Sequence, residues 1–296
     1  MSIIEKAVDK RGQGKSAELP AQGAAVPASI AAAVPVETHE PPIADRTAAT
    51  PPETLAGRQI EINLARLQKL GMVTPDGGRT PISEEFRLIK RPLIEQAFNR
   101  KDGPARHGNL IMVTSSLPDE GKTFCAVNLA ISIAMERDHT VLLIDADVAR
   151  PSIPEFLGLK TETGLMDILL DDKLDLADVM LKTNIDSLSF LPAGRNHKHA
   201  TELLASQAMS GLLNEIANRY PDRIVIFDAP PVLLTSEARV LASQMRQIVL
   251  VVEAEKTTQH AVKNVIRQIG DNANLSLVYN KSRAMAGDGY YGHYYG

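Results

Sequence analysis

Six short apolar runs, at residues 109–114, 140–144, 187–191, 223–227, 247–252 and 275–279, are the feature that most constrains the fold. Segments of helical period separate most of them, at 122–137, 201–220, 235–245 and 258–270. A strand that is apolar on both sides must be covered on both sides. Strand–helix alternation of this kind therefore predicts an α/β fold in which helices flank both faces of a parallel sheet. Ser83, Glu85 and Phe86, with Leu88, Ile89 and Leu93 behind them, begin a further helix ahead of the first strand. No internal repeat is present.

The flanks read differently. Residues 1–57 hold 13 Ala and 7 Pro with few large apolar side chains, too little buried surface to offset the entropy of ordering. The expected organisation is a disordered arm over 1–81, a folded domain over 82–283 and a flexible tail over 284–296. Ile60, Leu64 and Leu67 at helical spacing, with Gly71 as a stop, predict one short amphipathic helix within the arm, at about 59–70. Its partner, if it has one, is not legible.

With 32 Lys plus Arg against 36 Asp plus Glu, the formal charge of −4 offers no global basic field for nucleic acid, so any anion site must be local. The single cysteine, Cys125, excludes an internal disulfide and reads as a small core residue. No window approaches the roughly 20 apolar residues of a spanning helix, and the N-terminus lacks a compact signal sequence. The expectation is a cytoplasmic protein.

The chemistry concentrates in the segment from Ser116 through Asp119, Glu120, Gly121, Lys122 and Thr123 to Phe124, directly after one strand and directly before a helix. Phosphates of a nucleotide need backbone N–H groups at a helix N-terminus, a lysine for the β and γ oxygens and a hydroxyl for Mg²⁺. Gly121, Lys122 and Thr123 supply these in order. Ser116 stands where the usual pattern has its first glycine, so the segment depends on its neighbours for meaning. The second strand closes with Asp145 and Asp147, whose i, i+2 spacing turns both carboxylates to one side of the sheet's C-terminal edge, where ligands of such sheets bind. Another ends at Asp228, followed by Pro230 and Pro231, which force the chain out of the sheet. Each aspartate alone could be a loop cap; in this order they point to a nucleotide site.

At these residues the sequence resembles the bacterial tyrosine kinases of exopolysaccharide synthesis, within the deviant Walker group of P-loop ATPases. Lys122 with Thr123, Asp145 with Asp147, and Asp228 look like that family's Walker A, A′ and B motifs. Further matches are Gly164-Leu165 before Asp167, Leu191 to Gly194 before Glu202, and Asn280 closing the last strand. The resemblance runs from about residue 82 to the C-terminus. It implies ATP and Mg²⁺ as cofactors, with Lys122 on the phosphates, Thr123 and either Asp145 or Asp228 on the metal, and Asp147 or Asp145 as the base for a tyrosine hydroxyl. Asn280 joins the nucleotide-binding set. The resemblance also implies a homo-oligomer built through a contact helix carrying Glu84, Arg87 and Lys90, where the family has Arg at the last position. Arg150 stands one place beyond the family's arginine, at a position two past the second aspartate that is here Ala149. A separate membrane protein controlling polysaccharide chain length is the implied activator, which would hold the chain at the inner membrane.

Four of the six tyrosines, Tyr290, Tyr291, Tyr294 and Tyr295, occupy the last seven positions. A glycine-spaced terminal segment is accessible, as a phosphoacceptor must be, and relatives phosphorylate one another on such clusters. The expected function is therefore transfer of the ATP γ-phosphoryl group to these tyrosines on a neighbouring subunit. A partition or positioning ATPase switch is the alternative, and it carries a lysine five residues before the Walker lysine, where this chain has Leu117. An adaptor that binds ATP without catalysis is the third reading.

Overall fold

The computed structural model describes residues 59–98, 107–220, 222–270 and 273–282. In chain order the elements are β1 (Gln59–Ile60), α1 (Leu64–Lys69), α2 (Pro81–Phe98), β2 (Leu110–Ser115), α3 (Lys122–Ala134), β3 (Thr140–Asp145), α4 (Ile153–Leu157), α5 (Leu165–Leu170), α6 (Leu176–Val179), β4 (Leu181–Thr183), β5 (Leu188–Leu191), α7 (Ala200–Leu204), α8 (Gln207–Arg219), β6 (Arg223–Asp228), α9 (Ser236–Gln244), β7 (Gln247–Glu253), α10 (Gln259–Ile269) and β8 (Asn274–Asn280). The strands form one sheet in the order β1-β4-β5-β3-β6-β2-β7-β8.

All six expected strands are present, and every pairing is parallel except the short antiparallel contact of β4 with β5. Strand alternation divides the core into two layers. Leu110 and Met112 of β2 join one cluster with α5, α8 and α9, while Ile111 and Val113 join the other with α2 and α3. The central strands β2 and β6 are buried at every position, as double-sided coverage requires.

Four expectations need correction. The folded unit does not begin near Ile82: Ile62, Leu67, Met72 and Val73 are buried in the α3-side cluster, so much of the supposed arm past residue 58 belongs to the fold. The segment is fastened by polar contacts too, with Asn184 bridging both backbone groups of Ile62 and Asn128 accepting from Val73 N at 2.7 Å. The helix expected over 59–70 is accordingly shorter, because Gln59–Ile60 pairs with β4 and Asn63 caps α1 by accepting from Arg66 N. The helix expected over 201–220 is broken in two, since the Ser206 hydroxyl accepts from Met209 N and starts α8 afresh.

The fourth concerns assembly. Lys90, expected on a subunit-contact face, points inward: only 5% exposed, it donates to the Ser132 carbonyl at 2.5 Å and pairs with Glu136 at 2.7 Å. Glu84 and Arg87 form an i, i+3 pair on the exposed side of α2. The tail tyrosines lie outside the described residues, as does most of the arm. Of the other two tyrosines, Tyr220 stacks under the Arg223 guanidinium, 3.8 Å from the ring centre, and Tyr279 is exposed on the edge strand β8. Among the described residues no helix is long and apolar enough to cross a membrane.

Candidate active site

Three neighbouring strands, β3, β6 and β2, end together at the C-terminal edge of the sheet. The loop after β2 climbs over that edge and enters α3 through Gly121, whose φ of +94° favours glycine. A Cβ there would also lie 2.1 Å from Asn280 Nδ2, so neither backbone nor space admits a side chain. The loop is held by its own side chains. Ser115 Oγ donates to the Leu117 carbonyl, and Leu117 N donates to Glu120 Oε2 at 2.9 Å.

Asp145 and Asp228 are register partners on adjacent parallel strands, so their carboxylates stand side by side. Both are fully buried. Asp228 Oδ2 accepts from the Thr123 hydroxyl at 2.6 Å, and Asp145 Oδ2 accepts from Ile153 N at 3.3 Å. The second oxygen of each makes no hydrogen bond among the described residues. Burial pushes the Asp145 carboxyl up to about 8, reinforced by the Asp228 charge. Burial likewise raises Asp228 to about 6, although Lys122 and the Thr123 hydroxyl oppose it. Cys125, buried nearby, has its thiol pushed to about 12 by burial and by Asp228, consistent with a core residue.

Lys122 closes the group. Its ammonium lies 2.9 Å from Asp147 Oδ2, 3.7 Å from Asp228 Oδ1 and 3.3 Å from Thr123 Oγ1. Burial acts to lower its pKa, but Asp228 and Asp147 outweigh that and hold it above the ordinary lysine range. Asp147 is fixed from behind by Arg150 N, which donates to Oδ1.

An open cavity of about 690 Å³ lies in front of these groups. Asp119, Gly121, Lys122, Thr123, Phe124 and Asp147 line it, together with Arg150, Ser152 and the apolar wall of Phe156, Pro230, Pro231 and Leu234. The volume suits a nucleotide-sized ligand. Not every residue expected to touch the nucleotide faces this space. The Ser116 side chain is fully buried, and Glu120 turns its carboxylate away, to Leu117 N and the Thr257 hydroxyl. Asn280 reaches the loop backbone, donating to the Glu120 carbonyl at 2.8 Å. These three shape the loop. Ser152, whose hydroxyl lies 2.9 Å from Thr123 Oγ1, and Lys281 at the rim were not legible as site residues.

The oxygens suit a hard divalent cation. Mg²⁺ takes one or two carboxylates with hydroxyl, water and phosphate oxygens, and the oxygens of Asp145 and Asp228 that accept no hydrogen bond, beside the Thr123 hydroxyl, are such a set. Among the described residues no group of three or more His, Cys, Asp or Glu could hold a metal without further ligands.

Comparison with known proteins agrees with this geometry. A family model described as an AAA domain matches residues 110–279. The tyrosine-protein kinase YwqD of Bacillus subtilis (strain 168) is 33% identical over 175 residues, covering 59% of this chain and 70% of its own. The succinoglycan biosynthesis transport protein ExoP of Rhizobium meliloti (strain 1021) is 28% identical over 220 residues; 73% of this chain is covered, but only 27% of ExoP. Among solved structures, the kinase domain of the Escherichia coli tyrosine kinase ETK superposes with a TM-score of 0.57 at 25% identity, covering 74% of this chain and 95% of that domain.

Proposed function

Because the chain belongs to the bacterial tyrosine kinases, a family of P-loop ATPases, we propose that it transfers the γ-phosphoryl group of ATP to tyrosines Tyr290, Tyr291, Tyr294 and Tyr295 of a second copy. One observation carries the reading: Lys122 reaches Asp147 at the cavity wall, 2.9 Å away. Phosphates entering the cavity offer the ammonium a stronger partner. Lys122 then moves to the β and γ oxygens, and Asp147 is left as a carboxylate facing the place where a tyrosine hydroxyl must arrive. The same displacement that binds substrate thus uncovers the base.

Roles follow from position. Asp147 accepts the phenol proton as the tyrosine oxygen bonds to the γ-phosphorus and the bond to ADP breaks. Asp145 is enclosed beneath the site, with no face on the cavity, and serves as a metal-side carboxylate together with Asp228 and Thr123. Mg²⁺, when bound, neutralises charge developing on the β and γ oxygens. Gly121 and the following backbone N–H groups hold the phosphates, while Phe124, Phe156 and the Pro230–Pro231 wall exclude water from one side.

Trans transfer needs an assembly. The exposed Glu84–Arg87 pair on α2 is the surface through which copies meet, without Lys90. The name of one relative, the succinoglycan biosynthesis transport protein ExoP, supports a place in exopolysaccharide synthesis; a separate membrane protein as activator and the inner membrane as working location complete the proposal.

Purified chain incubated with Mg·ATP should gain phosphotyrosine, read by antibody and by intact mass, and Lys122→Ala should abolish it. A mixture decides the direction of transfer: Lys122→Ala protein should be phosphorylated by a catalyst whose four tail tyrosines are Phe. Release of ADP with no phosphotyrosine would identify a nucleotide switch instead, and neither product would indicate an adaptor.

A further inference from the structure

Five residues other than glycine have φ in the left-handed region among the described residues: His107, Asp119, Ser187, Glu255 and Lys281. Two of them, Asp119 and Lys281, line the cavity, and Glu255 lies in the turn after β7. Strained backbone of this kind persists only where the surroundings over-determine it, and it gathers at functional sites.

The contacts that hold it form a continuous network. Lys281 Nζ donates to the Asp119 carbonyl at 2.5 Å and to Glu253 Oε2 at 3.2 Å. The preceding residue, Asn280, donates to the carbonyl of Glu120, so two successive loop carbonyls are gripped from the end of β8. Thr257 joins the other side, its hydroxyl donating to Glu120 while accepting from Glu253 N. Glu255 N donates to the Tyr279 hydroxyl, tying the turn after β7 back to β8. With these carbonyls pinned outward at the rim, the Asp119–Gly121 backbone cannot relax. The half-exposed Lys281 lines the cavity beside Asp119, whose carbonyl it holds.

We infer that Lys281 is a positioning residue that clamps the phosphate loop in its nucleotide-receiving shape from the root of the last strand. The inference rests on the nucleotide reading of the cavity but not on the identity of the phosphoacceptor. A clamp of this kind acts through the loop, so its loss weakens every ligand whose phosphates the loop cradles. It leaves the folded state standing.

Calorimetric titration of the full chain with Mg·ATP and Mg·ADP tests it, using Lys281→Ala, Lys281→Gly and Lys281→Arg. Glycine removes the ammonium and also relieves the left-handed strain, so Lys281→Gly should melt no lower than Lys281→Ala. Both should nonetheless bind ATP and ADP about tenfold more weakly than the unaltered chain, the loss expected for one charge-assisted hydrogen bond, while Lys281→Arg stays within about threefold. Unchanged affinities in Lys281→Gly would overturn the clamp, as would a loss confined to ATP, which would make Lys281 a γ-phosphate contact. Failure of the unaltered chain to take either nucleotide is a separate outcome and would overturn the nucleotide site together with the clamp.

Discussion

Lys122 and Asp147 form a 2.9 Å ion pair at the wall of the cavity, with the ammonium 13% and the carboxylate 7% exposed. The pair links two motifs 25 positions apart, and under the proposed function it occupies the ground that a phosphate and a tyrosine hydroxyl must share. Asp147→Asn should therefore lower the stability of the nucleotide-free protein by about 1–3 kcal/mol, because a largely buried ammonium loses its nearest partner. Phosphoryl transfer should slow by about two orders of magnitude or more while ATP affinity changes by less than about tenfold, the pattern of a lost base. Chemical denaturation and single-turnover phosphorylation read the two effects separately; a variant with near-normal turnover would assign the base elsewhere.

Asp145 and Asp228 make a pH prediction whose sign follows from burial. Both carboxyls hold their protons more tightly folded, up to about 8 and about 6, than in an unfolded chain, where carboxylates titrate near 4. Between about pH 4 and pH 8 the folded state thus carries more protons, and nucleotide-free stability should fall as pH rises through that window. Asp145→Asn should flatten the upper part of the fall. Metal binding requires deprotonated carboxylates, so uptake of Mg·ATP at pH 7 should release protons, seen as buffer-dependent heats in calorimetry. Equal heats in buffers of different ionisation enthalpy would contradict a protonated Asp145.

Gly164 and Gly194 are required by close packing beside β5. A Cβ on Gly164 would lie 2.0 Å from the Pro192 carbonyl oxygen, and one on Gly194 would lie 2.4 Å from Asp167 Oδ2 in a backbone with φ of +83°. Asp167 accepts from Gly164 N and from Arg195 N and Nε, so the crossing and the carboxylate form one unit. Alanine at Gly164 meets backbone, which cannot swing aside, and should cost about 3 kcal/mol or more in urea denaturation. Gly194→Ala adds strain to a clash with a side chain and should also lose more than about 2 kcal/mol.

Lys90 and Arg87 lie one helical turn apart yet should behave oppositely. Lys90→Met removes a buried donor to Ser132 and Glu136 and should lower the melting temperature without altering assembly. Glu84→Ala with Arg87→Ala removes an exposed pair, should leave melting nearly unchanged, and should shift the oligomer toward monomer in sedimentation velocity. An assembly indifferent to the second change would remove α2 from the subunit contact.

Much of the fold was legible because its signals are local. Apolar runs separated by helical patterns identify strands of a doubly covered sheet, and each of the six was found within a residue or two of where periodicity put it. The elements that escaped notice, β1, β4 and the short helices α4 to α6, run two to six residues, too brief to hold a period. The segment past residue 58 failed for another reason. Ile62, Leu67 and Val73 look isolated along the chain, and only the cluster they join with α2, α3 and the sheet explains why they are buried.

The residue types of the proposed phosphate site, a lysine and hydroxyl at a helix start with aspartates closing two strands, were legible in the sequence alone. Which side chains face the ligand was not, because orientation is settled by neighbours distant in sequence. Register across β3 and β6 encloses Asp145 with Asp228, a contact from Thr257 just ahead of α10 draws Glu120 away from the cavity, and packing against Ser132 turns Lys90 inward. Spacing specifies chemistry along one strand or one helical turn; the division of that chemistry among metal, base and scaffold arises only when separate strands bring their ends to one edge.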